Sequence, residues 1–151
     1  MAKARMAKIF GGILTLCCGL LVPAVPGASA RTLASPGDWS GTWRGVYDCA
    51  QGITGLDLTI TPLGPRSVTA VFSFHAIPQN PQLPSGEFVM TGQLGPSRGH
   101  LLLRAGSWTV QPLLYVTVDL DGDFQPSTAE YRGRVLGPGC SFFHLRRDPM
   151  V

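Results

Sequence analysis

From Trp39 onward, apolar residues recur at every second position in short runs that Gly, Pro, Asn and Asp interrupt, the pattern of half-buried strands and turns. No helical period of useful length accompanies them. The first strand is predicted over Trp39 to Cys49, with Trp43, Gly45 and Tyr47 on one face; Ala50-Gln51-Gly52 turns it into a second carrying Leu56, Leu58 and Ile60. The third, Val68 to Ala76, sets Val68, Ala70, Phe72 and Phe74 against Thr69, Ser73 and His75. A long proline-punctuated loop leads to a fourth strand with Phe88, Met90 and Leu94. Leu101 to Arg104 and Leu113 to Leu120 predict the fifth and sixth, the latter with Leu114, Val116, Val118 and Leu120 in register, and Trp108 to Pro112 between them is ambiguous. Glu130 to Leu136 predicts the seventh, Tyr131, Gly133 and Val135 opposing Arg132 and Arg134; after Gly137-Pro138-Gly139 the eighth runs Ser141 to Arg147.

Eight strands joined mainly by short turns imply an all-β, up-and-down antiparallel meander, closed into a small barrel or folded as a β-sandwich. Cys49 and Cys140 bear on that choice. In a closed meander of even strand number the first and last strands are antiparallel neighbours, so the end of the first meets the start of the eighth. Those are the positions of Cys49 and Cys140, and a sandwich does not require them to meet. A disulfide between them would close a loop of about 90 residues and restrict the unfolded chain by roughly 4 to 5 kcal/mol in the chain-entropy model.

The segment before this pattern has the three parts of an export signal: Lys3, Arg5 and Lys8, an apolar run from Ile9 to Val22, then Ala28-Ser29-Ala30. The run falls short of the roughly 20 residues that span a bilayer. Cleavage after Ala30 is expected, with residues 31–37 as a flexible segment and 38–148 as one domain. Cys17 and Cys18 lie inside the run, with Leu16 where a lipid-attachment signal has a small residue, so both thiols are expected to leave with the signal. The expected location is secreted or periplasmic, which suits a disulfide.

Loss of the leader changes the charge balance. Lys3, Arg5 and Lys8 carry the whole net charge of +3, leaving nine Arg against nine Asp plus Glu and no Lys. The basic precursor therefore gives no reason to expect nucleic acid as a partner, nor a membrane span after cleavage.

Gly41-Thr42-Trp43 opens the first strand, and Arg146-Arg147 ends the last. In these features the chain resembles the calycin barrels, which include lipocalins, fatty-acid-binding proteins and avidins. The resemblance implies a barrel signature of Gly41, Trp43 and a basic residue of the last strand, Arg146 or Arg147, packed over the Trp. Arg44-Gly45-Val46-Tyr47 replaces the polar biotin-contacting pattern of avidins, so biotin binding is not carried over. The chain is also similar to the periplasmic barrels that inhibit secreted metalloproteases, in export, size, Gly41, Trp43 and a terminal Arg, with a different cysteine placement.

Candidate chemistry is sparse. Asp119, Asp121, Asp123, Gln125, Ser127 and Glu130 have the spacing of a calcium loop, but Phe124 stands where the turn needs Gly and Pro126 where an apolar residue belongs, favouring a polar hairpin turn. Ala76 to Gly86, stiffened by Pro78, Pro81 and Pro84, suits either a stable connection or protein recognition. Arg132, Arg134, His144 and Arg146 form either a solvated face or a basic stripe for an anionic partner. His75, His100 and His144 fall on separate strands without metal-site spacing, and no Ser sits in a nucleophile elbow. No cofactor and no catalysis are expected. The expected role is a non-catalytic binding protein for a small apolar ligand, with Tyr47, Phe72, Phe74, Phe88 and Met90 as lining. The alternative is a protease inhibitor or envelope-interaction module using its loops or N-terminal segment on a secreted or envelope protein.

Overall fold

Alternation decides which side of each strand faces inward, and closure decides that inward means a barrel core. A computed structural model describes residues 36–96 and 99–149. The elements are α1 (Pro36–Trp39), β1 (Gly41–Cys49), β2 (Gly52–Pro62), β3 (Ser67–His75), β4 (Gly86–Leu94), β5 (His100–Val110), β6 (Asp119–Gln125), β7 (Glu130–Leu136) and β8 (Phe142–Arg147). Each strand pairs antiparallel with the next, and β1 pairs with β8, closing an up-and-down barrel in sequence order. The expected leader and residues 31–35 lie outside the described residues; Pro36 and Gly37 open α1.

At the seam between β1 and β8, Trp43 pairs with Arg147 and Tyr47 with Phe143. The Ser141 amide extends the seam by donating to the Asp48 carbonyl at 3.0 Å, and the Ser141 hydroxyl donates to the Asp48 carboxylate at 2.6 Å. Directly beyond, Cys49 and Cys140 are disulfide-bonded across a separation of 91 residues. The bond thus ties the two chain-distant edges where the sheet closes, and the sandwich alternative is excluded. Gly45 keeps that seam tight: a Cβ there would overlap the His144 carbonyl oxygen.

The end of the barrel away from the disulfide is filled. Trp39 from α1 packs beneath Trp43, Phe124 and Tyr131, and the Trp43 indole donates to the Trp39 carbonyl at 2.9 Å. The Arg147 guanidinium lies 4.7 Å from the Trp43 ring centre. Arg146, expected in that role, instead points outward to Glu130, because successive strand residues alternate faces and only Arg147 shares the inward parity of Phe143 and Leu145.

Three segments depart from the sequence expectation. Trp39 belongs to α1 and plugs the barrel rather than starting β1. The ambiguous Trp108 to Val110 stretch continues β5, whose ladder with β4 shifts register twice, between Glu87 and Phe88 and between Phe88 and Met90. The sixth strand is Asp119–Gln125, displaced toward the C-terminus from Leu113 to Leu120. Its inward parity is Leu120, Gly122 and Phe124, while Asp119, Asp121 and Asp123 alternate outward. Poor β-formers hid the strand from a reading based on propensity. The run Leu113 to Val118 is a loop instead: the β5–β6 ladder spans only His100–Leu103 against Leu120–Asp123, so among the described residues no strand pairs with the loop, and Leu114 takes a left-handed φ of 69°.

Candidate functional site

Four inward aromatic residues meet at the disulfide end. Tyr47 comes from β1, Phe72 and Phe74 from β3, and Phe88 from β4, each placed there by the period of two. Phe72 and Phe88 are cross-strand partners and stack with centroids 4.5 Å apart. Tyr47 meets Phe72 edge-on at 5.2 Å. Together they form the floor and one wall of a cavity of about 390 Å³ that opens at the barrel mouth. Both cysteines of the disulfide also line it.

The loop between β5 and β6 covers this mouth. Tyr115 is its anchor, stacking on Phe74 at 5.3 Å with the rings 12° from parallel. The Tyr115 amide donates to the Pro112 carbonyl at 3.2 Å, and the Gln111 side chain donates to the Tyr115 carbonyl at 3.1 Å. Gly86 is required beneath it, since a Cβ there would press on both Phe74 and Pro112. Around the anchor the loop is apolar and open to water: Leu113 is 87% exposed, Leu114 92% and Val116 62%. Ala105 to Val110 of β5 pair with β4 alone, so the wall between β5 and β6 is unzipped near the mouth and the loop stands over the gap.

A polar trio borders the cavity. The Gln51 amide donates to the Tyr47 hydroxyl at 3.1 Å and to the Thr54 hydroxyl at 3.3 Å, and Thr54 donates to the Gly52 carbonyl at 2.9 Å. Burial pushes the Tyr47 hydroxyl well above its usual ionisation range, so it remains a neutral donor. The proline loop braces the same turn: Asn80 donates to the Gln51 carbonyl at 2.8 Å, while Pro78, Pro81 and Pro84 are exposed.

Of the residues expected to line a ligand site, Tyr47, Phe72, Phe74 and Phe88 surround this cavity; Met90 is fully buried deeper in the core and does not. The residues that sequence reasoning missed are Leu114, Tyr115 and Val116. Their alternation imitated a strand, and Pro112 was the local signal against one.

The other candidates are dispersed along the outer wall. Asp119, Asp121 and Asp123 lie along an extended strand instead of wrapping a cation or forming a hairpin turn. Asp119 receives the Ala105 amide at 2.7 Å, and His100 lies between Asp121 and Asp123 at 3.2 and 3.3 Å. No group of three or more His, Cys, Asp or Glu among the described residues is arranged to hold a metal ion. Glu130 opens β7 and is bound by Arg146 at 2.8 Å and His144 at 3.3 Å. Arg146 first, and His144 second, hold the Glu130 carboxyl below its ordinary value. Arg132 pairs with His144 across strands and Arg134 with Phe142, so these basic residues share the outer face, but Asp123 and Asp121 are the neighbours on the other side. Opposite charges interleave there, giving a mixed surface.

Compared with protein-family models, with curated proteins and with solved structures, the chain matches none.

Proposed function

We propose that this chain is an exported, non-catalytic binding protein that receives a small apolar ligand at the barrel mouth. The mouth cavity carries the reading: at about 390 Å³ it falls within the roughly 300–1,000 Å³ of small-molecule sites, with an aromatic wall and few polar groups. The far half of the barrel is packed, so the ligand occupies the mouth rather than the full length of the interior. The eight-stranded closed barrel, with Arg147 over Trp43, supports a calycin relationship. The disulfide supports an oxidising compartment.

Native mass spectrometry of the protein recovered from its own compartment, without reductant, tests this. The expected spectrum shows cleavage after Ala30, an intact disulfide and a non-covalent small molecule that leaves on denaturation. A bare protein that also takes up no apolar probe removes the ligand reading. A second reading, recognition of a secreted or envelope protein, is supported by the proline loop that Asn80 braces. It requires a one-to-one protein complex in the same spectra.

A further inference from the structure

The mouth cavity has no charged side chain in its lining. Its polar side chains are Tyr47, Gln51 and Tyr115, of which Tyr47 and Gln51 form a pair hydrogen-bonded at 3.1 Å; the rest of the wall is aromatic, aliphatic or disulfide. The ionised groups at three bordering strand ends, Asp48 in β1, Glu87 in β4 and Asp119 in β6, are carboxylates, the last paired with Arg104 at 3.4 Å. An anionic ligand would lose hydration on entry with no cation to offset the loss. A bare hydrocarbon would leave the polar pair without a partner.

The pair has a definite complement. The Gln51 amide nitrogen donates to the Tyr47 and Thr54 hydroxyls, and Thr54 donates its own proton to the Gly52 carbonyl, leaving the Tyr47 proton and the Gln51 side-chain oxygen for the cavity. With the Gln51 amide turned over, its oxygen would accept from Tyr47 and its nitrogen would face the cavity beside the Tyr47 oxygen. Either orientation offers one donor and one acceptor, which is the complement of a hydroxyl group. The two near-parallel ring pairs, Phe72 with Phe88 and Phe74 with Tyr115, make walls suited to a flat apolar body.

We infer that the mouth selects a neutral, flat apolar molecule bearing one hydroxyl, held between Tyr47 and Gln51. This rests on the mouth being a ligand site and specifies the chemical class it takes. Three probes of one shape test it by calorimetry at neutral pH: 2-naphthylmethanol, 2-methylnaphthalene and 2-naphthoate. The alcohol should bind about tenfold more tightly than the hydrocarbon, the gain of a hydrogen bond to otherwise unpaired groups, and more tightly than the acid by at least that factor. Tyr47→Phe should bring alcohol and hydrocarbon to equal affinity without weakening the hydrocarbon. Gln51→Ala provides the same comparison if Tyr47→Phe does not fold. Equal affinity for all three probes, preference for the acid, or an alcohol preference that survives both substitutions overturns the inference while leaving the mouth as a ligand site. Binding of none of the three overturns the ligand reading as well.

Discussion

Tyr115 lies face to face with Phe74, centroids 5.3 Å apart, and through this pair the loop between β5 and β6 is fastened to the barrel wall. Gly86 makes room for the contact, and Leu113, Leu114 and Val116 around it face water. Between its ends the loop is therefore held over the cavity at Tyr115, while Val118 at its far end is buried in the core.

Tyr115→Ala should detach the loop with little effect on the barrel. An aromatic pair contributes about 0.5–1.5 kcal/mol beyond its buried area, and the loss falls on the loop. Limited proteolysis between Gln111 and Val118 should speed up several-fold, and quenching of Trp108 fluorescence should rise, while the thermal midpoint falls only slightly. Unchanged cleavage would show that the loop is fastened elsewhere.

Removing the disulfide acts on the whole domain. Cys49→Ser with Cys140→Ser frees a separation of 91 residues in the unfolded chain and unties the β1–β8 seam. The expected cost is about 2–5 kcal/mol, read as a lower denaturant midpoint that matches the wild type under reductant. Because both cysteines line the cavity, probe affinity should fall in parallel. Stability within about 0.5 kcal/mol of wild type would show that the ladder alone holds the seam.

Glu130 sets a pH dependence whose sign follows from its partners. Arg146, then His144, lower the folded-state pKa of its carboxyl from the ordinary 4.5. The stabilisation is present above the unfolded value and is lost as pH falls through the folded one. Glu130→Gln should flatten the stability profile below about pH 4.5, with the larger loss relative to wild type at neutral pH. Equal slopes for the two proteins in acid denaturant titrations would remove Glu130 from the linkage.

The fold was more legible in the sequence than the site. Seven strands announce themselves because inward Leu, Phe and Val alternate with polar residues, and Cys49 with Cys140 names the seam. The sixth was displaced because Asp119, Asp121 and Asp123 mask Leu120 and Phe124, whereas Leu114 and Val116 imitate strand parity in a loop. Alternation reports faces but carries no information about where a ladder stops, and the unzipped end of β5 is where this mouth was made. The aromatic lining was therefore visible and its cover was not.

Arg147 and Arg146 differ in face alone, and replacing each separates their roles. Arg147→Met removes the cation over Trp43 at 4.7 Å and should cost about 1–2 kcal/mol with a changed Trp43 emission. Arg146→Ala, whose side chain is exposed, should leave Trp emission unchanged and act mainly through the Glu130 profile. Reversal of the two spectral effects would place Arg146 over the ring.

Leu114 holds a left-handed φ of 69° while 92% exposed, a conformation that is strained for a branched side chain and free for Gly. Leu114→Gly therefore removes backbone strain and almost no buried area, at the cost of added freedom in the unfolded chain. The two effects are similar in size, so the thermal midpoint should stay unchanged or rise by the equivalent of up to about 1 kcal/mol. Probe affinity should fall, because Leu114 lines the cavity from the loop side. A midpoint lowered by more than the equivalent of about 1 kcal/mol would show instead that this side chain supports the fold. Stability and binding therefore respond in different directions at Leu114, as expected of a residue that covers a site rather than builds the barrel beneath it.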